Sequence, residues 1–429
     1  MIQQVIKEDL LHYVWKTKQI DISNLKTTEG HSITVIDWGT HNHDSGPDFF
    51  NGKIQIGDTV WGGNIEMHVF SGDWDKHSHD SDPAYDNVIL HVVYEEDHVI
   101  LNHENSRIPC IEIRDRIEPK IKKNYGHLIH NNLSIPCEKN IHNIDSFTVS
   151  MWKDRLIAER LESKSRSIKT LLDKYKYDWE SAFYITLSRY MGARVNTQPF
   201  ELLAELLPLT TLQKNNDNSI KVEALLFGVA GMLEANYEDD YYKTLKEEYQ
   251  FLSRKYALQQ VPPIMWKFSR MRPPNFPTIR LAQLAKILEK NTKMFSNVLV
   301  AKTAQELRTI FAVTASAYWD CHYRFGTLAK ETREKELTKD FIDLLLINVV
   351  APTLFLYGQE KADTSYCDRA ISLLLELKPE KNSIIDKWKT LGLEVTSAMD
   401  TQSLIHLRKL YCDQKKCLSC NIGNKIVHI

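Results

Sequence analysis

The chain has 429 residues, of which 43% are hydrophobic and 26% charged, and a formal net charge of −2; that balance fits two or three packed domains and excludes a disordered or fibrous protein. No uninterrupted apolar run approaches the ~18 residues of a membrane span, and the acid-containing N-terminus "MIQQVIKEDLLHYVW" lacks the pattern of a signal peptide. Seven scattered cysteines argue against a disulfide framework, so a reducing, cytoplasmic location without membrane attachment is the expectation.

Charge and histidine are unevenly spread. Residues 1–140 hold 13 Lys/Arg against 22 Asp/Glu, the remainder 41 against 34, and 13 of the 16 histidines precede position 150. An acidic, histidine-rich region joined to a mildly basic one suits a metal site beside a surface that tolerates phosphate. Drift in surface composition would give the same counts.

The first region reads as one helix followed by strands. "QQVIKEDLLHYVWK" sets Val5, Leu10 or Leu11, and Val14 on one helical stripe, with Glu8 and Asp9 away from it. Strands are expected at "SITVID", "FFNGKIQI", "TVWGGNIEMHVF", "NVILHVVYE", "HVILN" and "IPCIEI", each bounded by turn residues. The nearly all-apolar "NVILHVVY" suits a central strand covered on both faces. An α/β or α+β domain over residues 1–135 follows.

The stretch "GPDFFNGKIQIGDTVWGGNIEMH" carries the chemistry. A two-residue turn at Gly57-Asp58 pairs Ile56 with Thr59 and sets Asp48 opposite Met67, one residue short of sharing a face with Glu66. A β-bulge corrects that, and Gly62-Gly63 is the expected place for it. Along "NIEMHVF", Glu66 and His68 then share the other face from Ile65, Met67 and Val69. A polar pair on a strand is commonly just its solvent face, but two carboxylates converging beside an imidazole call for a cation. Oxygen ligands favour Mg²⁺, Mn²⁺ or Ca²⁺, and the imidazole shifts preference towards Mn²⁺ or Zn²⁺.

Downstream, "SGDWDKHSHDSDPAYDN" clusters Asp73, His77, His79 and Asp82. On an extended segment His77 and His79 point the same way, whereas a helix-like turn would separate them. They either line the site and contact phosphate or belong to a capped polar loop. His91, inside an apolar strand, reads more readily as a hydrogen-bonded core histidine than as a ligand. "HNHD" at 41–44 reads as a rim loop.

Residues 140–429 switch to helical periodicity, beginning with "DRLIAERLESKSRSIKTLLDKY". The run "VPPIMWKFSRMRPPNFPTIR" interrupts it, since its five prolines prevent a continuous helix. Arg270, Arg272 and Arg280 lie there among aromatics, an arrangement suited to phosphate contact and base stacking, or to a stiff packing loop. Near the C-terminus Cys412, Cys417 and Cys420 follow a Cys-x4-Cys-x2-Cys pattern. It suits a structural Zn²⁺ or an iron–sulfur cluster with its fourth ligand elsewhere, or reduced structural cysteines.

The order of a helix bearing Glu8, a strand, "GPD", a strand ending in "IEMH" and a buried strand resembles the restriction-endonuclease-like PD-(D/E)XK phosphodiesterases. The resemblance implies an α+β fold: a restriction-endonuclease-like α/β domain with a mixed sheet, followed by the large, mostly helical domain. It implies Asp48 and Glu66 as ligands of Mg²⁺ or Mn²⁺, Glu8 as the helix acid, His68 in place of the motif lysine as water-orienting base, and nucleic acid as partner. The loss of the lysine leaves a non-catalytic nucleic-acid or protein-binding module as the alternative, and a zinc hydrolase of another class using His68, His77 and His79 as a third. Over nearly its full length the chain also resembles a bacterial family of uncharacterised proteins. The landmarks are "GPDF", "AYDNVILHVV", "EALLFG-x-AG", "MRPPNFPTIR" and the terminal "YC…CLSC".

Overall fold

Apolar residues three and four apart build helix α1 (Glu8–Lys16), whose Leu10, Leu11, Val14 and Trp15 are buried and whose Glu8 is half-buried. The computed structural model describes residues 6–429, so Val5, assigned to the same stripe, lies outside the described residues. Six strands follow: β1 (Ile33–Asp37), β2 (Thr40–His41), β3 (Phe49–Ile56), β4 (Thr59–Phe70), β5 (Val88–Glu95) and β6 (Cys110–Glu112). They form one mixed sheet in the order β1-β3-β4-β5-β6, with β2 pairing β3. The pairs β1/β3 and β3/β4 are antiparallel, and β4/β5 and β5/β6 are parallel.

β5 is buried from Ile89 to Val93, as an apolar strand with neighbours on both sides should be. "HVILN", expected as a strand, is reduced to a single bridge from Leu101 to Arg107. Of its apolar residues only Ile100 is buried, so little holds a second face in place. Helix α1 and the short helix α2 (Asp73–Lys76) pack on β4, and α3 (Pro119–Ile129) follows β6.

The helical region begins with α4 (Ser146–Lys174) and continues through α5 (Trp179–Met191), α6 (Thr197–Leu206), α7 (Leu209–Gln213), α8 (Ser219–Val229), α9 (Asp240–Tyr256) and α10 (Pro277–Lys290). The proline-rich stretch forms 3₁₀ turns at Pro263–Met265 and Pro273–Asn275, and α10 then starts on Pro277, where a missing N–H costs nothing. The stretch Lys339–Lys361 is long and apolar enough to cross a membrane by length and composition, yet it is mostly buried as a core helix of this unit. An N-terminal mixed-sheet domain followed by a large, mostly α-helical domain is the observed architecture.

The unit boundary differs from 1–135 and 140–429. The first unit comprises the chain through Trp152 together with Thr390–Gly392 and His406–Ile429; the second comprises Lys153–Lys389 and Leu393–Ile405. The cysteine-bearing tail therefore belongs to the sheet unit. Its last helix, Asn421–His428, is held there by Asn124 Nδ2 donating to Val427 O at 3.2 Å and by Tyr13 Oη against His428 Nε2 at 2.7 Å.

Candidate metal centre

The hairpin β3–β4 sets the register on which the site depends. Ile56 pairs with Thr59 and Gly52 with Gly63, but Phe49 pairs with Ile65. Phe50 and Asn51 together thus face Asn64, and Asp48 comes level with Glu66. The bulge anticipated from the sequence is present, but in the opposite strand. Gly62 and Gly63 stay in regular pairing with Lys53 and Gly52, while Asn51 absorbs the extra residue at a φ of 58°. Asparagine tolerates that left-handed conformation better than other non-glycine residues do. Gly63 serves close approach instead: a Cβ there would stand 2.6 Å from Asn87 O.

Level placement produces reciprocal bonds. Asp48 N–H donates to Glu66 Oε2 at 3.0 Å, and Met67 N–H donates to Asp48 Oδ2 at 3.0 Å. The loop that delivers Asp48 is tied by Asn42 Nδ2, which donates to Asp44 O, Ser45 O and Pro47 O at 3.1 Å each. From α1, His12 Nε2 lies 3.1 Å from Asp48 Oδ2. Glu8, one turn earlier on the same helix face, lies within the field of His12, His77 and Asp48.

Glu66 and His68 do not face solvent; both are buried beneath α1 and α2. His77 and His79 sit on a helical turn, the arrangement expected to part their rings. Ser78 between them adopts a left-handed φ of 60°, which turns both inward. His68 Nε2 lies 3.2 Å from His77 Nδ1, and Glu66 Oε1 lies 3.3 Å from His79 Nε2 and 3.6 Å from His68 Nε2. Ligand atoms of His68, His77 and His79 all fall within 4.8 Å of one another. The far nitrogen of His68, Nδ1, is 2.8 Å from Nε2 of the buried His91, and Tyr85 stacks on His79 at 3.8 Å between centroids. His91 is the hydrogen-bonded core histidine anticipated, and its bond fixes which nitrogen His68 turns to the cluster.

Burial, reinforced by neighbouring imidazoles, pushes His68 down to about 2; burial and His79 push His91 down to about 3. Both rings are neutral at physiological pH, the form that binds metals. Burial raises the pKa of Glu66, with Asp48's charge adding to the effect and the His79 hydrogen bond opposing it. For His12, burial favours the neutral ring, but the Asp48 bond and the charges of Asp48, Glu8 and Glu66 outweigh it and raise the pKa. Three imidazoles within reach of one another, with the Glu66 carboxyl beside them, are a donor set that could chelate a divalent metal.

A family model described as protein of unknown function (DUF2851) matches residues 8–383. The chain belongs to that family. The match takes in Glu8, Asp48, Glu66 and every histidine of the cluster, and it ends before Cys412. No curated protein and no solved structure matches the chain.

In this family member the arginines anticipated for substrate belong to the helical unit and the three tail cysteines to the sheet unit. Arg280 is buried in the helical unit, donating from Nη1 to Gln283 Oε1 at 2.9 Å and from Nη2 to Asn275 Oδ1 at 2.6 Å, with its guanidinium 3.5 Å from the Phe341 ring centroid. It packs inside the helical unit, because α10 points it inward. Arg270 and Arg272 are exposed on the proline-rich loop. Cys412, Cys417 and Cys420 are buried and free of disulfides, and among the described residues no three cysteine sulfurs lie mutually within 4.8 Å, as the histidine nitrogens do. Sequence reasoning missed His12 and Tyr85. The i, i+4 spacing of Glu8 and His12 was the available signal for the first; nothing in the sequence pointed to the second.

Proposed function

We propose that this protein is a divalent-metal-dependent hydrolase acting on a phosphodiester of nucleic acid, with the metal held by His68, His77, His79 and Glu66. The observation that carries the reading is the convergence of three imidazoles, whose ligand atoms lie within 4.8 Å of one another, beside the buried carboxyl of Glu66, 3.3 Å from His79. The phosphodiester is supported by the element order: an α1 acid, Pro47-Asp48 at the start of β3, Glu66-Met67-His68 near the end of β4, and a parallel β5. That order resembles the PD-(D/E)XK pattern, with His68 where the pattern has lysine. The donor set favours Zn²⁺ or Mn²⁺ over the Mg²⁺ expected from two carboxylates, because Mg²⁺ prefers oxygen ligands.

A cation in this position supplies Lewis-acid polarisation of a phosphoryl oxygen and a lowered pKa for water. Asp48, bonded through Met67 N–H, orients His12 beside the cluster. Asp48 favours the protonated form of His12, which would then carry the positive charge of the motif lysine and could hand a proton to a leaving oxygen. His68, with one nitrogen committed to His91, acts as a ligand rather than as a base. Glu8 closes the acidic rim.

The test is cleavage of plasmid, single-stranded DNA and RNA by metal-stripped protein given back Zn²⁺, Mn²⁺ or Mg²⁺. Activity restored by one of these ions and lost in Asp48→Asn and His68→Ala is the expected result. Unchanged activity in both variants would sink the assignment. The three-imidazole set also favours a second reading, a zinc hydrolase of another class; Zn²⁺-dependent cleavage of carboxylic esters without cleavage of nucleic acid would select it.

A further inference from the structure

The helical unit holds a cleft of about 420 Å³ lined by Tyr190, Arg194, Phe341, Leu344, Leu345 and Asn348. No acid lines it, Leu344 is 40% exposed, and Arg194 is exposed with no ion pair or hydrogen bond among the described residues. We infer that this cleft takes one unpaired base of a single-stranded nucleic acid, with the adjoining phosphate on Arg194. The choice of nucleic acid rests on the function proposed above; the cleft itself is separate from the histidine cluster.

The backbone explains how the arginine is presented. α5 ends at Met191, and Ala193 turns the chain at a left-handed φ of 50° just before Arg194. The buried Asn196 fixes that turn: its Nδ2 donates to Lys267 O at 2.9 Å, and its Oδ1 accepts from Lys267 N–H at 2.8 Å. Asn196 Nδ2 also lies 3.6 Å from Met271 Sδ, so the exposed Arg270 and Arg272 on either side of that methionine adjoin the same turn. Asn348 lies in a π-helical turn, Leu346–Val350, next to Pro352, which has no N–H to return to the Asn348 carbonyl. Lys164 Nζ donates to Asn348 Oδ1 at 2.6 Å, and Asn348 Nδ2 donates to Leu344 O at 2.7 Å. Both ends of that amide are engaged within the protein, so recognition falls to ring faces rather than to base edges.

Charge selects the kind of guest. Arg280 is 5% exposed, its Nε is buried without a partner, and no carboxylate pairs with it among the described residues. A buried cation lacking a counter-ion is costly, and the Phe341 ring against its guanidinium offsets only part of that cost. Phe341 also lines the cleft, so the charge stands one ring away from a guest, in surroundings of low dielectric. A nucleotide offers a π-face to Tyr190 and Phe341 and a phosphate to Arg194. A cationic guest would be repelled, and an aliphatic one would leave Arg194 without a partner. The volume suits one such unit and not a duplex, whose bases stay stacked inside.

Binding of labelled oligo(dT), a hairpin duplex and thymidine monophosphate to the metal-stripped full-length protein, at one fixed salt concentration, reads the cleft without the metal centre. The single strand should bind more tightly than either of the others. Arg194→Ala should weaken strand binding roughly tenfold, the scale of one charged hydrogen bond, and Leu344→Glu, which places an anion in the cleft, at least as much. Arg254→Ala removes an exposed arginine of α9 outside the lining and should bind as the wild type does, which separates the cleft from general attraction to phosphate. Both cleft positions are exposed, and thermal melts matching the wild type's check that the variants fold. Equal strand binding by the wild type and Arg194→Ala, preference for duplex or mononucleotide, or capture of a phosphotyrosine peptide in place of the strand overturns the inference. Strand binding without cleavage in any metal leaves it standing while the hydrolase reading falls; cleavage, with binding equal in the wild type and both cleft variants, does the reverse.

Discussion

His91 shows how one buried side chain can govern a site it does not line. It touches the cluster only through His68 Nδ1, at 2.8 Å. Removing such an outer partner of a ligand typically weakens metal binding by ~10–100-fold. His91→Phe is expected to show that loss in a titration with Zn²⁺ or Mn²⁺, while Cys110→Ser binds as the wild type does. The same residue sets a pH dependence. His68 and His91 have folded pKa values of about 2 and about 3, below the ordinary 6.5. Their contribution is therefore complete above pH 6.5 and drains as the pH falls towards those values, by up to about 1.4 kcal/mol per pH unit for each group. Raised groups, His12, Glu8 and Glu66, act in the opposite sense and favour acid. In metal-free protein the denaturation midpoint should fall between pH 6.5 and 4, and the slope should be shallower in His91→Phe. A steeper slope in that variant would contradict the proposed protonation states.

At the scale of elements, the β3 bulge decides whether acid and base meet. Side chains alternate faces along a strand, so inserting one residue after Asn51, with the bulge kept, would set Asp48 opposite Met67 and turn its carboxylate away from Glu66. Loss of metal-dependent activity is expected with the sheet's circular dichroism retained. Point substitutions report the backbone cost separately. Asn51→Gly should be neutral or slightly stabilising, and Asn51→Val should cost about 1–2 kcal/mol because its branched Cβ opposes a φ of 58°. Thermal melts of the two variants make the comparison. The hairpin was legible because the Gly57-Asp58 turn and alternating residues fix a register. Which strand would bulge was not, because Gly62-Gly63 and Asn51 are both permissive and only the packing of Gly63 against Asn87 separates them.

On the scale of the whole molecule, the first unit is built from both ends of the chain. Tyr13 meets His428, and Asn124 caps the carbonyl of Val427. A chain ending at Ile405 should lose protection of the sheet unit in limited proteolysis while the helical unit keeps its far-ultraviolet signal. Equal protease resistance in both chains would show that the tail is dispensable.

What the sequence alone determined is everything governed by local periodicity: the helix of Glu8, the strands around Asp48, Glu66 and His68, the change to helices near residue 140, and the pairing of acid with imidazole on one strand face. Those follow from steric rules acting over a few residues. Only the tertiary structure decided which distant groups meet. It buried Arg280, delivered His12 and Tyr85, turned His77 and His79 together through the backbone of Ser78, and returned three cysteines from the far end of the chain to the sheet unit. Contacts of that range depend on how whole elements pack; spacing along the chain can put His12 on the face of Glu8 but cannot say what either side chain meets.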